Sequence, residues 1–263
     1  MTSYFSGKVF LVTGASSGIG RALACELVDC GAEVLAMARN LERLEALREE
    51  KGLGIHPFQG DVTSSKACRE AVEKAFCLHQ RLDGLIHNAG VSMRGLAHES
   101  RPDVFRSLMD VNFYAMIDLF QAAYPHLVAS KGHLAAISSV MGRYATHQRS
   151  GYCASKHAIQ GFMDSVRLET MDKGIHTLVV SPGFVNTEVA KNALGADGQA
   201  LNKNSDSIIN GLSPNEVAKK TLRAMQHRKR DIYPAGAKEK LGLILSRFAP
   251  GVLDRLLRNI RVT

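Results

Sequence analysis

Nothing in this chain stays apolar for the roughly 20 residues needed to span a bilayer. The opening MTSYFSGKVF also lacks the basic flank and apolar stretch of a secretory signal. The expectation is a cytoplasmic protein without leader or membrane span. Cysteine is scarce and poorly spaced: Cys25, Cys30, Cys68, Cys77 and Cys153 form an odd set with no CxxC. Reduced thiols follow, with neither a zinc centre nor a disulfide framework. The histidines, scattered from His56 to His176, never fall at ligand spacing with cysteines or carboxylates, so no metal is expected. Aromatic residues are only 6% of the 263, and none interleaves with the basic run HRKR at 227–230. That argues against a nucleic-acid partner. Repeats and linkers are missing too, which leaves one domain over residues 1–263.

The charge that is present is unevenly placed. Net charge is +8, yet Lys219 to Thr263 alone holds twelve Lys/Arg against three Asp/Glu. The basic character therefore belongs to the C-terminal end and not to the whole surface. With 45% hydrophobic residues the chain can bury a full core. Its apolar runs form seven short segments: KVFLVT (8–13), EVLAMA (33–38), IHPFQGDV (55–62), LDGLIHNAG (82–90), HLAAISS (133–139), HTLVVSPG (176–183) and RDIYPA (230–235). Between them apolar positions recur at helical spacing, most extensively from about Pro102 to Ala129 and from about Gly151 to Asp172. Continuous apolar strands alternating with helices indicate buried parallel strands joined by helical crossovers. The expected fold is α/β and doubly wound, with seven strands, mainly parallel, and helices on both faces. Glu188 to Ser213, rich in Asn, Ser, Gly and Ala, interrupts the alternation and reads as a lid over a substrate or a plain surface insertion.

The first strand runs into a glycine turn and then a helix. Gly14, Gly18 and Gly20 are spaced GxxxGxG, with Ser16, Ser17 and Ile19 between them. Such a turn lets amide groups and the positive helix end meet a pyrophosphate. At the end of the second strand a carboxylate would bind the ribose 2′-hydroxyl of NAD, but this strand ends without one and is followed by Arg39. Arg39 offers a fork for a 2′-phosphate, assisted by the Ser16 and Ser17 hydroxyls, or else is a solvated charge beside the cap residue Asn40. NADP(H) is therefore expected over NAD. Asp61 and Val62 end the third strand, where they can contact adenine. Asn88, Ala89 and Gly90 end the fourth in a tight turn that lets a cofactor lie across the strand ends.

Tyr152 and Lys156 stand four apart, one turn of helix, and the serine pair Ser138 and Ser139 closes the fifth strand. An ammonium near a phenol favours the phenolate and lowers its pKa, and a serine hydroxyl can hold a carbonyl or alcohol oxygen. Together the groups make a proton-transfer site; a Tyr and Lys so spaced are otherwise an ordinary surface pair.

TGASSGIG (13–20), NAG (88–90), Ser139, YCASK (152–156) and PGFVNT (182–187), in this order, resemble the short-chain dehydrogenase/reductase family over roughly residues 7 to 235. The resemblance implies a Rossmann-type sheet of seven strands, with Tyr152 as catalytic acid/base. Lys156 would lower the pKa of Tyr152 and bond the nicotinamide ribose, and Ser139, thirteen residues before Tyr152, would polarise the substrate oxygen. It further implies that Asn112 kinks the long helix and holds the water of a proton relay. Pro182, Gly183, Val185 and Thr187 would contact the nicotinamide end. Pairing through the two long helices, giving a homodimer or homotetramer, is implied as well. His87 departs from the family, which often has Asn before NAG, and Cys153 reads as packing. His147 and Arg149 precede Tyr152 and are expected to face the substrate.

The C-terminal part is similar to the lipid- and steroid-active branch of that family, the dehydrogenase/reductase 7 group and the microsomal hydroxysteroid dehydrogenases. Those relatives carry an N-terminal membrane anchor, and none is expected here. From about 236 to 263, Leu241, Leu243, Ile244, Leu245 and Phe248, then Val252, Leu253, Leu256 and Leu257, form apolar stripes beside Arg247, Arg255, Arg258 and Arg261. A basic amphipathic tail of this kind packs on its own domain or a partner subunit, or makes peripheral contact with an anionic membrane. The implied activity is NADP(H)-dependent interconversion of a carbonyl and a secondary alcohol on a lipophilic small molecule. The alternatives are reduction of a 3-oxoacyl thioester and non-catalytic nucleotide binding.

Overall fold

A computed structural model describes residues 2–189, 191–202 and 210–258. Seven strands make one sheet: β1 (Val9–Thr13), β2 (Glu33–Ala38), β3 (Ile55–Gln59), β4 (Gly84–His87), β5 (His133–Ile137), β6 (His176–Val180) and β7 (Asp231–Ile232). Their order is β3-β2-β1-β4-β5-β6-β7, and all six pairings are parallel. The helices are α1 (Thr2–Phe5), α2 (Gly18–Asp29), α3 (Leu41–Lys51), α4 (Ser65–His79), α5 (Pro102–Met109), α6 (Ala115–Ser130), α7 (Ser150–Thr170), α8 (Pro214–Gln226), α9 (Ala237–Phe248) and α10 (Pro250–Arg258).

The central strands are apolar throughout because both faces are covered. In β1 the two-residue period sends Phe10 and Val12 to one face, against Leu23 and Leu27 of α2 and Leu222 and Met225 of α8. Val9 and Leu11 go to the other, against Val72 of α4, Leu119 of α6, and Ile159 and Met163 of α7. At the margin, β3 carries Pro57 in register with Ala36. Gly60 N donates to the Ala38 carbonyl at 3.0 Å, so the alternation turns position 57 away from β2, where no N–H is required.

From β3 onward the strands stop short of their apolar runs at the carboxyl end, whereas β1 and β2 fill theirs. Asp61-Val62, Asn88 to Gly90, Ser138-Ser139 and Pro182-Gly183 leave the ladder and line one cleft. The long segment near Pro102 to Ala129 is not one continuous α-helix. Asp110–Tyr114 forms a π-helical turn between α5 and α6, with Asn112 fully buried inside it. One extra residue per turn frees a main-chain carbonyl, and such bulges recur at functional sites. Of the expected lid, Ala190 and residues 203–209 lie outside the described residues, as do residues 259–263 of the tail, with Arg261.

Candidate active site

The strand order reverses between β1 and β4, the switch point at which an open α/β sheet forms its crevice. There the carboxyl ends of the strands border a cleft of about 580 Å³. Gly14 holds φ +65°, a left-handed conformation that glycine adopts without strain. At Gly20 an added Cβ would run into the Gly14 carbonyl and the Asn88 side-chain amide. The turn and the NAG segment thus pack backbone to backbone. Asn88 Nδ2 donates to the Thr13 carbonyl at 3.0 Å, while Thr13 Oγ1 accepts from Asn88 N at 3.1 Å and Ala89 N at 3.0 Å. Ser17 makes no side-chain cap at the start of α2, leaving its first-turn N–H groups directed at the cleft. That donor set, in a cradle that no side chain fills, fits a dinucleotide pyrophosphate.

Toward the end of β2, Arg39 is exposed on the cleft. Among the described residues only its main-chain carbonyl is bonded, by Gln59 Nε2 at 3.1 Å. Asn40 Oδ1 instead caps α3, accepting from Arg43 N at 2.9 Å. Arg43, one helical turn beyond Arg39, donates to Glu188 Oε2 at 2.7 Å and so ties α3 to the first residue of the expected lid.

Ser138 and Ser139 face opposite ways, as consecutive residues of extended chain must. Ser138 Oγ donates to the Lys156 carbonyl at 3.3 Å and accepts from Gln160 Nε2 at 3.1 Å. Ser139 lines the cleft with Tyr152, and its Oγ accepts from Met141 N at 3.1 Å. The sequence argument expects Lys156 to lower the pKa of Tyr152. In the structure burial dominates and pushes the phenol up; the nearby Ser139 hydroxyl and the Arg149 charge act in the lowering direction. Lys156 Nζ lies 5.8 Å from the Tyr152 ring centre and donates to the Ile137 carbonyl at 2.9 Å. Its own pKa is brought down to about 8 by burial.

Asn112 sits behind this cluster. Its Nδ2 donates to the Val91 carbonyl at 3.0 Å and Ser155 Oγ at 2.8 Å, and its Oδ1 accepts from Val91 N at 2.8 Å. The carbonyl released by the π-turn is 3.1 Å from His87 Nε2. Burial and the Lys156 charge hold His87 neutral, with its pKa near 3. The unusual residue before NAG therefore bonds the helix at its break.

Every sequence-expected site residue lines the cleft except Gly20 and Asn112, which pack behind it, and His147. Ser92, Arg43 and Phe184 line it as well and were not anticipated, and Glu188 and Asn192 bring the expected lid segment to its rim. Arg43 could have been found from its four-residue spacing to Arg39; the others carry no local signal. Arg149 is buried and bonds Ser92, whereas His147 is not among the lining residues. Cys153 is packed with Val140, Met141 and Phe184. Among the described residues no cluster of His, Cys, Asp or Glu could hold a metal, and no helix is long and apolar enough to cross a membrane.

The family described as short chain dehydrogenase matches residues 8–197. Dehydrogenase/reductase SDR family member 7B of Bos taurus is 33% identical over 98% of this chain and 83% of its own length. A short chain dehydrogenase from Burkholderia cenocepacia, solved in complex with NADP, superposes with a TM-score of 0.81 at 23% identity, covering 97% of this chain and 99% of that one. A short chain dehydrogenase/reductase from Burkholderia phymatum, solved in complex with NAD, gives 0.83 at 21% identity, covering 98% of this chain and 97% of that one. At those identities the two structures carry the fold alone. The match over most of the chain, together with the bovine relative, shows that this protein belongs to the short-chain dehydrogenase/reductase family.

Proposed function

We propose that the chain is an NADP(H)-dependent oxidoreductase that interconverts a carbonyl and a secondary alcohol on a lipophilic small molecule. One observation carries the reading: Tyr152, one helical turn from a buried ammonium, lines the same cleft as Ser139 and the glycine turn. Bound nicotinamide would supply or accept the hydride. Ser139 and Tyr152 would grip the substrate oxygen, and the Tyr152 hydroxyl would give its proton to that oxygen in reduction and take it back in oxidation. Lys156, partly deprotonated near pH 8, can pass a proton to the phenolate, and the adjoining Asn112 can order the water that resupplies it.

Preference for NADP(H) is supported by Arg39, which faces the cleft where a 2′-phosphate would meet a guanidinium and no carboxylate. Gly14, Ser16, Ser17, Gly18 and Ile19 would hold the pyrophosphate, with Gly20 supporting them from behind. Asp61 and Val62 would meet the adenine, and Asn88, Ala89, Gly90, Pro182, Gly183, Val185 and Thr187 the nicotinamide half. A lipophilic substrate suits the apolar wall of Met141, Tyr144, Phe184 and Leu243 beside Tyr152. Residues 188–213 act as its lid. Pairing through α5–α6 and α7 into a homodimer or homotetramer accords with the exposed Tyr114 and Leu168. Peripheral contact with an anionic membrane accords with α9 and α10, where Leu241, Ile244, Phe248, Val252 and Leu256 are exposed beside Arg247, Arg255 and Arg258.

The test is NADPH oxidation across a panel of ketones, with Tyr152→Phe as the control. The variant is expected to bind NADPH as the parent does and to lose nearly all turnover. Retained turnover would remove Tyr152 from the proton step.

A further inference from the structure

Arg149 immediately precedes α7 and is 7% exposed. A guanidinium is always charged, and burying one without a carboxylate is costly. Its Nη1 donates to Ser92 Oγ at 2.7 Å, and Ser92 is a neutral hydroxyl that is itself buried. No carboxylate among the described residues pairs with Arg149. The titratable groups nearest to it are Tyr152, Cys153 and Arg94, the last bonded to Gln148 Oε1 at 3.4 Å. The position adds to the cost, because a helix N-terminus is the positive end of the dipole and Arg149 stands at that of the 21-residue α7. No side chain caps that end. A buried guanidinium and a helix N-terminus thus meet on the wall of the cleft that holds Tyr152. Both favour negative charge, and of the carboxylates that line the cleft Glu188 pairs with Arg43 and Asp61 bonds Thr63.

We propose that Arg149 is a specificity-determining residue that receives an acidic group, a carboxylate or a phosphate, carried by the molecule whose carbonyl or alcohol meets Tyr152. The proposal rests on the cleft being the reaction site and narrows the substrate class to amphiphiles with an acidic end. The apolar wall of Met141, Phe184 and Leu243 takes the chain of such a molecule, and Arg149 takes its head through a charge-assisted, two-pronged bond. Neutral ketones of equal size lack that bond and leave the guanidinium buried without an anion.

Binding of inert probes tests this without turnover. The NADPH-loaded protein is titrated with decanoate, decyl phosphate and decanamide, following cofactor fluorescence. At least one acid is expected to bind at least tenfold tighter than the amide, and the better of the two identifies the head group. Arg149→Gln should bring the acid-to-amide ratio close to one, and Arg149→Lys should keep part of it. Equal binding of acid and amide by the parent overturns the proposal, as does a ratio that survives in Arg149→Gln, or no binding of either acid. The parent comparison needs no variant, so a misfolded Arg149→Gln does not remove the test. If NADPH itself fails to bind, the oxidoreductase reading falls separately, and the same ratio is read by calorimetry on the chain alone.

Discussion

Lys156 Nζ donates to the main-chain carbonyl of Ile137, the last residue of β5, at 2.9 Å. The bond pins the start of α7 to the sheet, yet the ammonium is buried and its pKa has come down from 10.5 to about 8. A lysine whose folded pKa lies below its unfolded value costs stability while charged, and that cost fades as pH rises from about 8 toward 10.5. Lys156→Met should therefore be more stable than the parent at pH 7, by about 1–3 kcal/mol. The gap should narrow at pH 10, and turnover should be lost. Urea melts at the two pH values check it; a variant less stable at pH 7 would show that the hydrogen bond outweighs the buried charge.

Histidines at the opposite end of the sheet set an acid limit. His133 Nδ1 lies 2.8 Å from His176 Nδ1, Tyr4 Oη is 2.9 Å from His133 Nε2, and His176 Nε2 is 2.9 Å from the Lys229 carbonyl. Burial lowers both imidazoles, His133 to about 3. The unfolded chain takes up these protons near pH 6.5, so their contribution is full above that value and is lost as pH falls toward 3. Stability should drop by about 1.4 kcal/mol per pH unit for each histidine kept neutral. The ring chemical shifts of His133 at pH 5 provide the check: they should still report neutral imidazole, and those of His176 should titrate below the usual histidine range.

Arg39 and the cofactor phosphate make a separable prediction. Arg39→Glu puts repulsion where a charge-assisted bond is proposed, a swing of about 3 kcal/mol or more. The NADPH-to-NADH ratio of kcat/KM should fall by about a hundredfold. An unchanged ratio would mean that Arg39 is a solvated charge.

Two glycine replacements should have opposite signs. In Gly20→Ala the new methyl has no room between the Gly14 carbonyl and the Asn88 amide, so dinucleotide affinity and folding stability should both fall sharply. Gly161, exposed within α7, has nothing within 4 Å of an added Cβ. Gly161→Ala should raise stability by about 1 kcal/mol through helix propensity alone. Thermal melts and nucleotide titrations of both variants read this directly.

Much of the architecture was legible because parallel central strands advertise themselves. VFLVT and HTLVV are buried at every position, and only helices on both faces permit that. The two-residue β7, half-buried, was visible only as the run RDIYPA. The break at Asn112 followed from the family resemblance and not from periodicity, since one added residue in DVNFY hardly disturbs the helical pattern. Within the site, spacing pointed to Tyr152 and Lys156, and the family resemblance chose Ser139 over Ser138. Spacing did not give the direction of the Tyr152 shift, because burial depends on the tertiary fold, nor the burial of Arg149, which as a charged loop residue reads as solvated.

Pro57 has a consequence for assembly. A free margin of sheet invites another chain to add a strand, and this one is interrupted midway where a pyrrolidine ring replaces a donor. The far margin is β7, only two residues long, too brief to template an extension. Ribbon-to-ribbon growth between copies is therefore discouraged at both borders.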